Sequence, residues 1–122
     1  IFDEIDAGIG GATGSVVGRK LAKVAESRQV ICITHLPQIA VFADAHYFIH
    51  KETAKGRTTT GIVQLDSKQK EGEVARMLGG EKITDISVRH AKEMLDGSGR
   101  VLVSEGNSRR GGLVRPIKSM EK

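Results

Sequence analysis

Two short runs of strand-forming residues enclose a stretch with helical periodicity at the start of the chain, and no other feature of the sequence restricts the fold as strongly. The first run is residues 1–4 and the second is residues 30–33, with a glycine-rich turn at 6–11 and a predicted helix over 12–27 between them. The apolar stripe of that helix consists of Val17, Leu21 and Val24. A strand–helix–strand connection is almost always right-handed and leaves its two strands parallel. The sequence therefore predicts an α/β fold with a parallel βαβ core.

The pattern changes in the second half of the chain. Residues 46–52 and 58–66 have the composition of strands and lie on either side of a turn-prone tetrapeptide, which predicts a β-hairpin. Two helices are predicted after it, over 71–78 and 84–95. A chain of this length ordinarily forms one core. We therefore expect one domain over residues 1–96, in which a β-hairpin and two C-terminal helices follow the βαβ core.

The formal net charge of +4 is carried by the end of the chain and not by the predicted domain. Residues 1–96 contain 13 basic and 13 acidic side chains, whereas residues 97–122 contain 6 basic and 2 acidic ones. The second segment is rich in Gly, Ser and Arg and has no hydrophobic period. It is therefore predicted to be a basic, disordered tail.

Composition also restricts where such a chain works. Cys32 is the only cysteine, so no internal disulfide can form, and a reducing, cytoplasmic compartment is expected. No apolar run approaches the roughly 20 residues that a membrane-spanning helix requires. We therefore expect no membrane partner.

The two predicted parallel strands end at the same edge of the sheet, which is where open α/β sheets bind their ligands. Asp3 and Glu4 end the first strand, and His35 follows the second. Magnesium takes one or two carboxylates beside substrate phosphates, a role for Asp3. An acid one residue later can deprotonate an attacking water, which makes Glu4 the candidate general base. A histidine at this edge can stabilise the charge that develops on a γ-phosphate, the role predicted for His35.

Each of these features alone has an ordinary structural explanation. An Asp–Glu pair after apolar residues is common, the glycine-rich segment can be only a turn, and Thr34–His35 can be only the end of a strand. His46 and His50 share one face of a predicted strand, but no acid or cysteine completes a metal-ligand set, so both are predicted to be surface histidines. Cys32 in its apolar run is predicted to be inert core.

In their order along the chain, these motifs resemble the nucleotide-binding motifs of ABC-class ATPases. Residues 1–4 resemble a Walker B motif, residues 5–8 the D-loop that follows it, and Thr34–His35 the H-loop with its switch histidine. The residues in and around these motifs are similar to those of the RecN family, which consists of SMC-like ABC-class ATPases of DNA repair. The segments that carry this resemblance are 2–11, 33–40, 46–48, 51–53 and 75–80, and it extends from Ile1 to about Leu95.

The resemblance implies the C-terminal lobe of a P-loop (ABC-type) ATPase head, whose two lobes are joined by a long coiled coil. It implies ATP and Mg²⁺ as ligands, with hydrolysis coupled to recombinational repair of DNA double-strand breaks at the nucleoid. The implied partners are the N-terminal lobe, a second head and DNA. Asp3 would lie beside the magnesium, Glu4 would be the catalytic base and His35 the γ-phosphate sensor. Asp6 would be the D-loop acid at the head–head interface, and Gly8 would lie beside it near the nucleotide.

The sequence departs from the family pattern in what it lacks. It contains no Gly-x-x-x-x-Gly-Lys-Ser/Thr phosphate loop, no Leu-Ser-Gly-Gly signature and no coiled-coil heptads. Because it also opens inside a predicted strand, we expect a fragment that hydrolyses no ATP alone and acts as an ATPase only within a longer protein. Two alternatives stay open. One is another ABC-class ATPase, of a transporter or of excision repair, and the other is a non-catalytic module that docks on a head or on DNA.

Overall fold

A computed structural model describes residues 1–98 and the backbone of residues 113–114 and 116–118. The elements in chain order are β1 Phe2–Asp3, α1 Gly11–Val24, β2 Val30–Ile33, α2 Pro37–Ala40, β3 His46–Ala54, β4 Arg57–Leu65, α3 Ser67–Gly79, α4 Asp85–Gly97, β5 Leu113–Val114 and β6 Pro116–Lys118. The architecture is a mixed α/β one with two small sheets. Within the described residues, no helix has both the length and the apolar character needed to cross a membrane.

The predicted βαβ unit is present. β1 and β2 pair in parallel, with Phe2 opposite Cys32 and Asp3 opposite Ile33, and α1 connects them. One side of β2 faces the core, where Val30 is buried and Cys32 is fully buried as predicted. Both strands therefore deliver their carboxyl ends to one edge.

The face that α1 turns to its neighbours combines two residues of the predicted apolar stripe, Val17 and Leu21, with two glycines. Gly14 and Gly18 pack against α2, and a Cβ atom added at Gly18 would lie 2.5 Å from a ring carbon of Phe42. Leu21 is buried on this face, whereas Val24 is 43% exposed. The prediction for Val24 was wrong, because the buried side of α1 is centred on Gly14, Gly18, Leu21 and Ala22, and Val24 lies beside it.

The predicted hairpin is formed by β3 and β4, which pair antiparallel from His46 opposite Leu65 to Ala54 opposite Arg57. Its turn has two residues, Lys55 and Gly56, with φ of 50° and 74°. Two consecutive residues in the left-handed region match the twist of the flanking strands, so this tight turn is a favoured hairpin connection.

Both C-terminal helices begin with reciprocal side-chain caps. Asp66 and Gln69 cap α3, and Thr84 and Ser87 cap α4. The Asp66 cap starts α3 four residues earlier than predicted, because its carboxylate accepts from the free N–H of Gln69. The two helices pack onto α1 and α2 through one apolar cluster, which consists of Ala22, Val41, Phe42, Val74, Ala75, Ala91 and Leu95.

Two short strands lie inside the segment that was predicted to be a disordered tail. β5 pairs in parallel with β2, and β6 pairs in parallel with β3. At these five positions the prediction of disorder differs from the structure, because the edges of β2 and β3 offer unpaired N–H and C=O groups to an extended segment. The helix α4 also extends to Gly97. The prediction for residues 99–112, 115 and 119–122 lies outside the described residues.

Candidate functional site

The edge at which β1 and β2 end brings together the three residues predicted to carry the chemistry. Asp3 lies opposite Ile33, so Glu4 is level with Thr34, and His35 is one residue farther along the neighbouring strand. Paired strands are about 4.8 Å apart. Asp3, Glu4 and His35 are all exposed there. The edge therefore presents two carboxylates and an imidazole to solvent across the ends of two adjacent strands.

Glu4 has a backbone conformation that side chains disfavour. Its φ is 49°, and only Lys55 in the hairpin turn shares this property among the non-glycine residues that the structure describes. A left-handed conformation costs a residue with a side chain about 1 to 2 kcal/mol. The chain turns at once, because the Glu4 carbonyl accepts from the N–H of Ala7 at 3.2 Å. Strain of this kind concentrates at functional sites.

The carboxylate of Asp6 links the turn after β1 to the end of β2. Its Oδ2 atom accepts from the Thr34 hydroxyl and, at 2.9 Å, from the backbone N–H of His35, and it lies 3.1 Å from Nδ1 of His35. The Thr34 oxygen in turn accepts from the N–H of Leu36 at 3.1 Å. The side chain of Asp6 is only 1% exposed, whereas that of His35 is 75% exposed. A buried acid thus contacts both the backbone N–H and the Nδ1 atom of an exposed histidine.

The pKa of Asp6 reflects this environment. Burial by itself raises the pKa, but the hydrogen bonds from the Thr34 hydroxyl and from backbone N–H groups, together with the interaction with His35, outweigh burial, and the net pKa is below the ordinary value of 3.8. These donors favour the charged form of the acid. Asp6 is therefore an anion at neutral pH.

Asp6 has contacts within this chain that the resemblance did not imply. Its carboxylate is buried and contacts Thr34 and His35, whereas a place for Asp6 at an interface between two heads stays a prediction. Sequence reasoning missed these contacts because 28 residues separate Asp6 from Thr34. No local spacing reports a pairing of that kind.

Gly8 occupies the same turn. It is exposed, its φ is 75°, and a Cβ atom added there would meet no other atom within 4 Å. The left-handed backbone alone accounts for glycine at this position. A contact between Gly8 and a nucleotide stays a prediction.

The two histidines of β3 have different surroundings, and the prediction that both lie at the surface was wrong for His46. His46 is 1% exposed, because β3 begins directly after the buried segment around α2 and its first residue enters the core. His50 is half-buried, with its ring centroid 5.9 Å from that of Phe48 and its Nε2 3.3 Å from Glu52. Among the described residues, no cluster of three His, Cys, Asp or Glu side chains is arranged to hold a metal ion.

Comparison with known proteins gives one consistent family. No family model matches the chain. It is 47% identical over 95 residues to the DNA repair protein RecN of Bacillus subtilis, which covers 78% of this chain and 16% of that protein. It is 48% identical over 95 residues to the RecN of Vibrio cholerae, covering 78% of this chain and 17% of the relative.

The RecN of Treponema pallidum is 44% identical over 100 residues, which covers 82% of this chain and 18% of the relative. The chain thus spans less than a fifth of the length of the relatives that it matches. The same name recurs at this level of identity among relatives from distant bacteria. The resemblance to the RecN family is therefore confirmed over most of this chain's own length.

Proposed function

We propose that this chain forms part of an ATP-hydrolysing head, the C-terminal lobe, of a RecN-like protein that acts in recombinational repair of DNA double-strand breaks. The observation that carries the proposal is the meeting of Asp3, Glu4 and His35 at the carboxyl edge of a parallel strand pair. The relatives are named as DNA repair proteins. An exposed edge with two acids and a histidine suits a charged phosphate ester better than an apolar ligand.

The acids at this edge suit magnesium and ATP. Magnesium usually keeps several waters and takes only one or two carboxylates besides the substrate phosphates. An exposed Asp3 at a strand end therefore suits magnesium better than a metal that needs a full set of protein ligands. Bound there, the ion would neutralise charge on the β- and γ-phosphates.

Glu4 would act one residue beyond the metal ligand. Its carboxylate would orient a water molecule and accept its proton as the water attacks the γ-phosphorus. The left-handed backbone at Glu4 is consistent with this role, because strained conformations of this kind concentrate at functional sites. His35 would donate a hydrogen bond to an oxygen of the transferring phosphoryl group.

The chain by itself should not complete this reaction. No phosphate-binding loop is present in the sequence, so the β- and γ-phosphates have no cradle. We therefore propose that the lobe works with the remaining lobe of the same head, with a second head and with DNA, in the cytoplasm at the nucleoid. A non-catalytic module would need neither Glu4 nor His35.

The experiment compares two glutamates in the complete protein that joins this segment to a phosphate-binding loop. Glu4→Gln should leave ATP binding intact and lower kcat by at least about 100-fold, because the general base is lost. Glu26→Gln, at an exposed position just after α1, should leave kcat unchanged. Hydrolysis by the Glu4→Gln variant at a rate close to that of the unaltered protein would refute the assignment. The 122-residue chain alone should show no magnesium-dependent hydrolysis.

A further inference from the structure

The pairing of a buried carboxylate with an exposed imidazole gives Asp6 a role beyond fastening a turn. We infer that Asp6 is a positioning residue: it holds the His35 ring with Nδ1 inward and Nε2 directed toward the reacting phosphate. The inference rests on the proposed function for the direction in which His35 acts. The contact between Asp6 and the His35 ring is a property of this chain and does not depend on the proposed function.

The contacts fix both the position and the rotation of the ring. One oxygen of Asp6 accepts from the backbone N–H of His35 at 2.9 Å and lies 3.1 Å from Nδ1 of the same residue. The backbone contact fixes where the side chain begins, and the ring contact fixes its rotation. The Thr34 hydroxyl donates to that oxygen and accepts from the N–H of Leu36, so the carboxylate is itself held. A fully buried acid thus places a mostly exposed ring.

The chemistry of imidazole gives the hold a second consequence. A ring whose Nδ1–H donates to a carboxylate is locked in that tautomer, because the hydrogen bond of one nitrogen decides where the proton resides. In the neutral ring Nε2 then carries a lone pair. With Nδ1 protonated, Nε2 can donate a hydrogen bond only when the ring carries both protons. The anionic carboxylate of Asp6 compensates the positive charge of that doubly protonated ring. Asp6 therefore determines what His35 can offer to a phosphate oxygen.

A purely structural role for Asp6 leads to different expectations. An acid that only fastens the turn to the strand needs the Thr34 hydroxyl and the backbone N–H, and it leaves the ring free to rotate. The two possibilities predict the same loss of stability on substitution. They differ in the tautomer of His35 and in its effect on turnover.

The first arm of the test is nitrogen NMR of the 122-residue chain at a pH at which imidazole is neutral. We expect His35 in the Nδ1–H tautomer, the opposite of the form that histidine favours in water. His50 is the internal control, since its Nε2 faces Glu52 at 3.3 Å and it should show the Nε2–H tautomer. A His35 ring in the Nε2–H form in the unaltered chain would overturn the inference, whatever the chain's function.

Two variants sharpen this arm. Asp6→Ala should shift His35 toward the Nε2–H tautomer and leave His50 unchanged, and Asp6→Asn replaces it if the alanine variant fails to fold. Thr34→Ser keeps the hydroxyl and should leave the His35 tautomer as it is. If His35 keeps its Nδ1–H form after the loss of the Asp6 carboxylate in a folded chain, Asp6 does not position the ring.

The second arm uses the complete protein with its phosphate-binding loop. Asp6→Asn should lower kcat by roughly 10- to 100-fold, as loss of a residue that orients a functional side chain does, with KM for ATP little changed. In a His35→Ala background the same substitution should cost nothing more. A full further loss in that background would overturn the inference and leave the proposed function standing. If His35→Ala itself leaves turnover unchanged, the proposed role of His35 fails.

Discussion

The two halves of the described chain use their polar side chains differently. In α3 and α4, each N-terminal cap is formed by two residues three positions apart, Asp66 with Gln69 and Thr84 with Ser87. In the βαβ half, the N-cap residue of α1 is Gly10, which provides no side-chain cap. The side chain of Asp6 instead contacts residues 28 and 29 positions away.

The same contrast appears in the two histidine–carboxylate pairs. At the candidate site the acid is buried and the histidine is exposed, whereas Glu52 of the other pair is 72% exposed beside a half-buried His50. A buried charge must be satisfied by its neighbours, so it specifies their geometry. An exposed pair contributes little, because water competes for both groups. The buried acid of the βαβ half is thus held by distant partners, whereas the caps of α3 and α4 are formed by local ones.

The largest expected effect is that of removing the buried acid. Asp6→Ala leaves the Thr34 hydroxyl and the His35 backbone N–H without their acceptor. The free energy of unfolding should fall by about 2 to 4 kcal/mol, because each buried group left without a partner destabilises the fold by its full desolvation penalty. Urea denaturation of the 122-residue chain measures it, with Asp85→Ala at the exposed start of α4 as control. Equal losses for the two variants would contradict the contrast between the halves.

The same carboxylate predicts how stability depends on pH. The pKa of Asp6 is lower in the folded chain than its ordinary value of 3.8. Its stabilising contribution is therefore complete above the unfolded pKa and is lost as the pH falls through the folded pKa. Denaturation curves recorded between pH 6 and pH 2 should show a loss of stability below about pH 4 that is reduced in Asp6→Asn. An identical pH profile for that variant would argue against the lowered pKa.

The second effect tests the close approach of α1 and α2. Gly18→Ala places a methyl group against the Phe42 ring and should cost about 1 to 3 kcal/mol by overpacking. Gly72→Ala is the matched control, since it lies within α3 and its added methyl group meets nothing within 4 Å. That substitution should stabilise the chain by about 0.5 to 1 kcal/mol through helix propensity. Thermal unfolding of both variants measures whether the added methyl group stabilises or destabilises the chain at each position.

The third effect concerns the local caps of the helical half. Thr84→Ala removes the acceptor for the Ser87 N–H, and Asp66→Ala removes the one for Gln69. Each should cost about 1 kcal/mol. Because both caps are local, each loss should be seen in faster amide hydrogen exchange in its own helix and not in β1 or β2. Faster exchange across the whole chain would show that the effect of these caps is not local.

The smallest effect separates stability from function at Glu4. Glu4→Gly removes the left-handed strain and should change the free energy of unfolding by no more than about 1 kcal/mol in the stabilising direction. Lys55→Gly, at φ 50° in the hairpin turn, is the control and should behave alike. In the complete protein only Glu4→Gly should abolish ATP hydrolysis. A marked loss of stability at Glu4 would mean that its side chain supports the fold.

Local patterns in the sequence were sufficient for much of this fold. The periodicity around the two apolar runs predicted β1, α1 and β2, and strand composition on either side of a glycine-containing turn predicted the hairpin. The start of α3 was placed too late, because the cap at Asp66 was overlooked. The burial of His46 was missed, since alternation along a strand does not report which end enters the core.

The sequence by itself determined which residues reach the candidate site, because parallel strands end at one edge and Asp3, Glu4 and His35 follow those ends directly. Only the tertiary structure decided how the site is held together. Asp6 and His35 are distant in the chain and become partners only when the turn after β1 folds against the end of β2. Burial then removes the competing water, so a single carboxylate can hold both the backbone and the ring of His35.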